Sequence, residues 1–274
     1  MFLLKRKNRP RISPTHPNGR FSKKMKNRIL LAGLIAALAL SAYSRADVVV
    51  MDQIGSNPAF FTGASAPASQ QFEPSNSVFN IGVIDNFTAP SAFTITTVNA
   101  AILGFNGFTQ ANYANITGYY VSIYSSTAAA AVSLTGDIGQ AFVSPGSATL
   151  TRPFSGDAAS ALVSLSLSIP LPSSGTFWIG VRPEVPFTGN GQTGIYVTTG
   201  GPGFTPGGAN AMQANPGSGW GFGPSGLRAV APPGDAAYFV SGTVFSVPEP
   251  ATFTLVTAAA TLGLVVVRLR RRKA

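Results

Sequence analysis

The sequence predicts an all-β protein: an antiparallel, jelly-roll-like β-sandwich over residues 47–246, flanked by an N-terminal signal helix and a C-terminal transmembrane helix. Three observations lead to this prediction. Short central runs alternate apolar and small polar residues with a period of two, which is typical of half-buried strands. Gly, Pro and Asn separate these runs at short intervals. The central region shows neither helical amphipathicity nor the strand–helix alternation of a parallel sheet.

The distribution of charge divides the chain into three parts. The 274 residues carry a formal net charge of +10, but 11 of the 19 Lys and Arg residues lie at or before Arg45 and five lie at or after Arg268. Residues 47–250 hold three arginines against all nine acidic residues, which leaves a net charge of −6. An acidic body cannot follow a phosphate backbone by releasing counter-ions. We therefore expect no nucleic-acid partner.

The first part of the chain, residues 1–24, is basic and contains three prolines but no apolar periodicity. This composition predicts a disordered extension. Met25 is followed by a basic stretch of the kind that opens a signal peptide, and we expect translation to begin there.

Residues 25–46 have the pattern of a secretory signal peptide. The apolar run 29–40 has 12 residues and would extend about 18 Å as a helix, too short for a hydrocarbon core of about 30 Å. Ser44 and Ala46 occupy positions −3 and −1 of a predicted signal-peptidase cut before Asp47. A cut after Ser44 and an uncleaved helix are the alternatives.

At least seven strands are predicted in the central region. In the clearest one, residues 161–169, the apolar Val163, Leu165, Leu167 and Ile169 alternate with serines, as in a strand with one buried face. Repeated short strands with turn residues between them are typical of sandwiches and jelly rolls. Similar runs predict strands at 77–87, 92–103, 118–125, 175–181, 194–198 and 236–245.

A segment rich in glycine and proline, residues 200–226, surrounds Trp220. We expect a long loop without strands, and such loops are commonly functional or disordered. Aromatic rings stack on the apolar faces of sugars and amides bind sugar hydroxyls, so Trp220, Tyr113, Asn112 and Asn115 are candidate glycan contacts. The favoured interpretation, however, is that Trp220 fastens the loop to a sheet. Packing inside the domain is the favoured role of three further aromatic residues: Tyr119, Tyr124 and Trp178.

The central region does not indicate an enzyme. Without cysteine, the chain has no thiolate nucleophile, thiolate metal site or disulfide, and its only histidine, His16, precedes the predicted cut. No phosphate-binding glycine motif or calcium-loop spacing occurs, and we expect no metal or cofactor. Glu73 and Glu184 are a carboxylate pair of the type that glycosidases use, but solvated loop acids are the favoured interpretation.

The C-terminal residues 247–274 contain three elements in order. The second is a run of 17 uncharged residues, 251–267, which as a helix would extend about 25 Å and predicts a nearly upright transmembrane segment. The first element is the motif Val247, Pro248, Glu249 and Pro250. The third, residues 268–274, is predicted to be cytoplasmic by the positive-inside rule and contains Arg268, Arg270, Arg271, Arg272 and Lys273.

These three elements together resemble the PEP-CTERM sorting domain, also described as an ice-binding-protein C-terminal anchor. The resemblance covers Ser246–Ala274 and implies nothing about the central domain. It implies that an exosortase, a membrane transpeptidase of Gram-negative bacteria that make exopolysaccharide, recognises Pro248, Glu249 and Pro250 and then releases or re-anchors the protein. A plain single-pass anchor with a Pro-Glu-Pro linker is the alternative.

Together these features predict a non-enzymatic protein that is exported and then anchored in the inner membrane or released to the cell surface or extracellular matrix, in association with exopolysaccharide or biofilm. Its expected partners are the inner membrane, signal peptidase, an exosortase-type transpeptidase and extracellular polysaccharide. For the central domain, the alternative is a carbohydrate-binding or adhesive β-sandwich module. A glycan-active enzyme ranks third.

Overall fold

The structure is a computed structural model that describes residues 47–57, 61, 65–198 and 208–244. Within these residues, no helix has the length and apolar character needed to cross a membrane. Asp47, after the predicted signal-peptidase cut, begins the first strand. Several predicted elements lie outside the described residues: the extension 1–24, the signal peptide with Ser44 and Ala46, the sorting motif 247–250, the membrane segment 251–267 and the basic cluster 268–274.

The described part of the chain forms fourteen strands and one short α-helix, α1 (Thr127–Val132), with 3-10 turns between them. All pairings between these strands are antiparallel. The strands are β1 (Asp47–Asp52), β2 (Gly82–Ala89), β3 (Phe93–Phe105), β4 (Gly118–Tyr124), β5 (Gly139–Val143), β6 (Ala148–Thr151), β7 (Ser160–Leu171), β8 (Gly175–Glu184), β9 (Gln192–Ile195), β10 (Val197–Thr198), β11 (Met212–Ala214), β12 (Leu227–Ala229), β13 (Asp235–Ala236) and β14 (Tyr238–Val244).

Two six-stranded sheets make up the described architecture. The first has the order β1-β14-β3-β7-β6, with β9 also paired to β3, and the second has the order β12-β11-β2-β8-β4-β5. Strands β10 and β13 form a separate two-stranded ribbon. The prediction of an all-β protein built from antiparallel sheets is confirmed.

Side chains from both sheets share one buried hydrophobic cluster. Phe93 and Leu165 of the first sheet meet Phe87, Val121 and Ile179 of the second in this cluster. Each sheet has an apolar face that is stabilised only when another layer covers it, and here each sheet covers the other, as in a sandwich.

Strand β7 shows how the sequence pattern produces this packing. Val163, Leu165 and Ile169 are buried in the shared cluster, whereas Ser166 and Ser168 are exposed. The alternation predicted for this strand is therefore confirmed, and its period of two directs every second side chain into the core.

A buried tyrosine joins the two sheets by polar contacts. The hydroxyl of Tyr238, on β14 of the first sheet, donates to the carbonyl of Val83 at 2.7 Å and accepts the N–H of Val181 at 3.1 Å, both in the second sheet. Because buried polar atoms are costly when unpaired, these bonds fix the position of one sheet relative to the other.

Two local predictions were wrong, and one short helix was missed. The strand predicted at 77–87 begins only at Gly82, because residues 74–79 form a 3-10 helix that starts with a proline. The predicted loop 200–226 contains β11, which pairs with β2 on one side and β12 on the other and so satisfies backbone groups that an open edge would expose. The helix α1 was not predicted, since its six residues, mostly alanine, are too few to show a helical period.

Candidate functional site

Polar side chains collect on the face of the second sheet that points away from the core. Tyr119, Val121 and Val181 lie in the core, so the alternate residues of β4 and β8 lie on the outer face. The strand register places Tyr120 of β4 opposite Arg182 of β8. A glycine of β2, Gly82, lies beside Arg182, and an added Cβ there would approach its Cδ to 3.3 Å.

Two chain segments cover this outer face, and Asn215 holds them together. This fully buried residue donates from Nδ2 to the carbonyls of Val78 (3.0 Å) and Asn80 (2.7 Å), and its Oδ1 accepts the N–H of Trp220 at 3.0 Å. The 3-10 helix 74–79 and the loop after β11 are thereby fixed to each other.

The close approach of these two segments requires glycine. A Cβ on Gly217 or Gly219 would lie 2.5 or 2.6 Å from the carbonyl oxygen of Val78, well inside van der Waals contact. Part of the glycine content of the 200–226 segment is explained by this approach.

Three neighbouring pockets lie beside the two covering segments, and we call them together the groove. The aromatic pocket, of about 260 Å³, is lined by Phe72, Asn76, Phe79, Phe187, Gln192 and Trp220. The middle pocket, of about 460 Å³, is lined by Gln71, Phe72, Glu73, Pro74, Ser77, Thr117, Glu184, Val185 and Pro186. The arginine pocket, also of about 460 Å³, is lined by Gln71, Ser77, Asn80, Tyr120, Val132, Ser133, Leu134, Thr135, Gln140, Arg182, Pro216 and Gly217.

Shared wall residues show that the pockets adjoin one another. Phe72 lines both the aromatic and the middle pocket. Gln71 and Ser77 line both the middle and the arginine pocket. The groove thus changes in character from aromatic, through acidic, to basic.

The aromatic pocket is built around Trp220. Its ring centroid lies 6.0 Å from that of Phe79 and 6.5 Å from that of Phe72, and the rings of Phe72 and Phe187 are 6.4 Å apart. The indole Nε1 donates to the carbonyl of Phe79 at 2.7 Å. Trp220 therefore both fastens its loop and presents its ring to the pocket.

Exposed apolar side chains are concentrated around the groove. Phe79 and Phe187 line the aromatic pocket and are 38% and 42% exposed, and Val132 on the arginine pocket is 81% exposed. Phe142, also exposed, packs against Tyr120 with ring centroids 5.0 Å apart. Apolar side chains gathered at one concave surface mark a binding site more often than singly scattered ones do.

Both carboxylates of the middle pocket are fixed by hydrogen bonds. Glu73 accepts hydrogen bonds from the backbone N–H of Phe187 at 2.8 Å and from Nδ2 of Asn76 at 2.6 Å. Glu184 accepts a hydrogen bond from Oγ1 of Thr117 at 2.7 Å. Slight burial raises the pKa of Glu73, but the hydrogen bonds, first that from Phe187, outweigh this effect and lower its pKa overall. A glycosidase acid needs a raised pKa, so Glu73 lacks that property.

Arg182 forms the floor of the arginine pocket and is only 3% exposed. Its Nη1 donates to Oε1 of Gln71 at 2.8 Å, and its Nη2 donates to the carbonyl of Leu134 at 2.9 Å and to Oγ of Ser122 at 3.4 Å. The guanidinium lies 5.5 Å from the ring centroid of Tyr120. Burial lowers the pKa of Arg182, yet an arginine side chain stays charged in proteins.

The structure separates the predicted glycan contacts. Trp220 lines the groove, as described above. The ring of Tyr113 is 3% exposed, packs edge-on against Phe108 at 5.0 Å, and its hydroxyl donates to a backbone carbonyl. A glycan contact through Tyr113 was therefore wrongly predicted, because a buried ring cannot stack on a sugar. Asn112 and Asn115 line none of the three pockets of the groove, and both donate to Oδ1 of Asn190.

Other aromatic residues pack as predicted. Tyr119 and Tyr124 are fully buried, and Trp178 is partly buried against a hydrophobic cluster on the outer face of the second sheet. Glu73 and Glu184, which the sequence analysis weighed as a carboxylate pair but favoured as solvated loop acids, both line the middle pocket.

Several groove residues were missed by the sequence analysis, above all Arg182 and Tyr120. One signal was available: Arg182 is one of only three cations in residues 47–250 and directly follows the apolar run 177–181. Gln71 and Phe187 carried no such signal, because they lie in segments without a repeating pattern, and Phe79 fell within the strand wrongly predicted at 77–87.

The described residues contain no group of three or more metal-ligating side chains. No family model, curated protein or solved structure matches this chain.

Proposed function

We propose that this protein is exported, is sorted through its PEP-CTERM-like tail by an exosortase to the cell surface or extracellular matrix, and binds polysaccharide in the groove of its β-domain. The first part of this proposal rests on the signal-peptide pattern before Asp47 and on the ordered elements of residues 247–274. The second part rests on the chemistry of the groove.

We also propose that the β-domain is a jelly roll. Supporting this, the long strands alternate between the sheets along the chain: β1, β3, β7 and β14 belong to the first sheet, and β2, β4 and β8 belong to the second. A jelly roll is a two-sheet Greek-key arrangement that recurs in lectin domains, and it leaves an outer sheet face on which loops can build a site.

The observation that carries the binding proposal is the joint presence of exposed or partly exposed aromatic rings and fixed polar groups in one groove. Sugar rings have apolar C–H faces, which stack on aromatic side chains, and hydroxyl edges, which bind amides and carboxylates. Phe79, Phe187 and Trp220 supply the first kind of surface, and Gln71 and Asn80 supply the second.

A binding module explains the groove better than a glycan-active enzyme does. The hydrogen bonds of Glu73 lower its pKa and keep it ionised at neutral pH, and Glu184 is fixed by Thr117 and Tyr120. Glu73 holds the loop that carries Phe187, because the backbone N–H of Phe187 donates a hydrogen bond to the Glu73 carboxylate. In this proposal the carboxylates position the aromatic wall.

Affinity electrophoresis of the full chain in gels containing the producer's exopolysaccharide tests the binding proposal. We expect retardation of the native protein and a loss of affinity of about tenfold in Phe187→Ala, corresponding to about 1.4 kcal/mol. The matched control is Val49→Ala, an exposed apolar residue on β1 of the other sheet, which should bind like the native protein. No retardation, or equal retardation of both variants, would refute the proposal.

Mass spectrometry of the mature termini in the producing cell tests the sorting proposal. We expect a new N-terminus at Asp47 and a C-terminus near the Pro-Glu-Pro motif. In Glu249→Ala the basic tail should stay attached. If native protein at the cell surface keeps its intact tail, exosortase processing is wrong and a plain membrane anchor replaces it.

A further inference from the structure

Arg182 is a buried cation whose described partners are all neutral. Its three hydrogen bonds go to an amide oxygen, a hydroxyl and a backbone carbonyl. Its Nε is buried and has no hydrogen-bond acceptor. Within the part of the chain that the structure describes, no carboxylate forms an ion pair with it at 4.0 Å or less.

Such an arrangement is unusual for a purely structural arginine. Buried charges in proteins are normally paired with an opposite charge, because desolvation of a lone ion is costly. A guanidinium has five N–H donors in a planar fork, and Arg182 makes three hydrogen bonds to the protein. The remaining donors and the uncompensated charge both favour an anionic ligand in the pocket that Arg182 lines.

The walls of the arginine pocket indicate what carries the anion. They supply neutral hydrogen-bonding groups, including Gln71, Asn80 and Gln140, beside the partly exposed ring of Tyr120. Amides suit hydroxyl groups and an aromatic ring suits a sugar face. A cavity of about 460 Å³ is within the size range of sites for small organic ligands.

We propose that the arginine pocket binds the carboxylate of an acidic sugar residue within the polysaccharide, with Arg182 as the charge partner. This inference rests on the proposed glycan binding and adds the class of sugar. Because Glu73 and Glu184 line the adjoining middle pocket, a second carboxylate there would be repelled. The favoured ligand is therefore a heteropolysaccharide in which an acidic residue has a neutral neighbour.

Calorimetric titration of the full chain with glucuronate and with glucose tests this assignment, since the two sugars differ at one carbon. We expect glucuronate to bind at least about tenfold more tightly, as for one charge-assisted pair. Equal affinities, or an equal response to inorganic sulfate or phosphate, would overturn the assignment to a sugar carboxylate.

A surface variant tests the role of Arg182 without disturbing the core. Thr135 is exposed on the rim of the arginine pocket, so Thr135→Glu would place a competing carboxylate beside the guanidinium. We expect its glucuronate affinity to fall to that of glucose. The matched control Thr149→Glu, on an exposed position of β6, should keep the native preference. Equal behaviour of the two variants would refute the role of Arg182.

The outcome also separates this inference from the proposed function. If the polysaccharide is retained in a manner that depends on Phe187 but glucuronate and glucose bind equally, only the acidic-sugar assignment fails. If no glycan is retained and neither sugar binds, the proposed function fails as well.

Discussion

Asp85 on β2 is a fully buried carboxyl group, and its titration should control how stability varies with pH. Desolvation by burial, reinforced by the nearby negative charge of Asp235, raises the pKa of Asp85 to about 8, from an ordinary value of 3.8. The backbone N–H groups of Ala236 and Asn86 each donate to it at 2.7 Å and offset part of this rise. At neutral pH, Asp85 is therefore mostly protonated in the folded chain and ionised in the unfolded chain.

The sign of the pH effect follows from this difference. Between about pH 4 and pH 8, unfolding releases a proton, so the free energy of unfolding decreases as pH rises. The stabilisation is fully present below the unfolded pKa of 3.8 and is lost as pH rises through about 8. At about 1.4 kcal/mol per pKa unit the full effect is on the order of 6 kcal/mol. Water entry around the ionised group should reduce it to about 2–4 kcal/mol.

Two other described carboxylates, Asp137 and Glu73, titrate below this window. A small desolvation effect raises the pKa of Asp137, but hydrogen bonds from Ser125 outweigh it and lower this pKa overall. The hydrogen bonds that Glu73 accepts lower its pKa in the same way. Both therefore titrate at more acidic pH. Burial raises the pKa of Tyr119 to about 12. The only histidine, His16, lies outside the described residues.

Urea unfolding of the full chain, followed by tryptophan fluorescence at about pH 5, 6.5 and 8.5, measures this effect. In Asp85→Asn the slope should disappear. That variant should also lose about 1–3 kcal/mol at acid pH, because its amide N–H₂ would face a backbone N–H. Asp137→Asn serves as the control and should keep the native slope. A native stability that stays constant or rises over this range, or a slope that survives in Asp85→Asn, would refute the reasoning.

Three further variants test the packing, each by urea unfolding. Tyr238→Phe should lower the free energy of unfolding by about 1–3 kcal/mol, because a buried N–H of β8 loses its acceptor. An unchanged urea midpoint would contradict the link between the sheets. Gly242→Ala should lose about 1–3 kcal/mol, since its Cβ would overlap a carbonyl of β3, whereas Gly146→Ala, in open space, should change little. Asn215→Ala should lose about 2–3 kcal/mol and shift the Trp220 emission; native-like emission would contradict its role in holding the groove.

Local patterns were sufficient to predict most of the sheet content. The alternation in residues 161–169 predicted β7, because each position in a strand reports on its own face. Strands β1, β5, β6 and β12 were missed. All four lie at sheet edges, which leave little apolar pattern, and the last three have five residues or fewer.

The groove was predictable only in part. Trp220 was singled out from its unusual glycine-rich surroundings, and it does line the groove. Tyr113 was singled out because it stands beside Asn112 and Asn115, but it is buried. Whether an aromatic ring faces core or solvent depends on the packing of neighbouring elements, and residue type alone does not report it.

The sequence by itself determined the all-β class, the absence of thiol chemistry and the acidic character of residues 47–250, since these depend on composition and on local periodicity. It also carries the terminal patterns on which the sorting proposal rests. Only the tertiary structure decided that Gln71, Tyr120 and Arg182 meet around one pocket. Their meeting depends on the register of β4 against β8 and on the covering of that sheet face by a distant segment. Hydrogen bonds between residues far apart in the chain set both the strand register and the position of the covering segment, and no local sequence pattern encodes such long-range pairing.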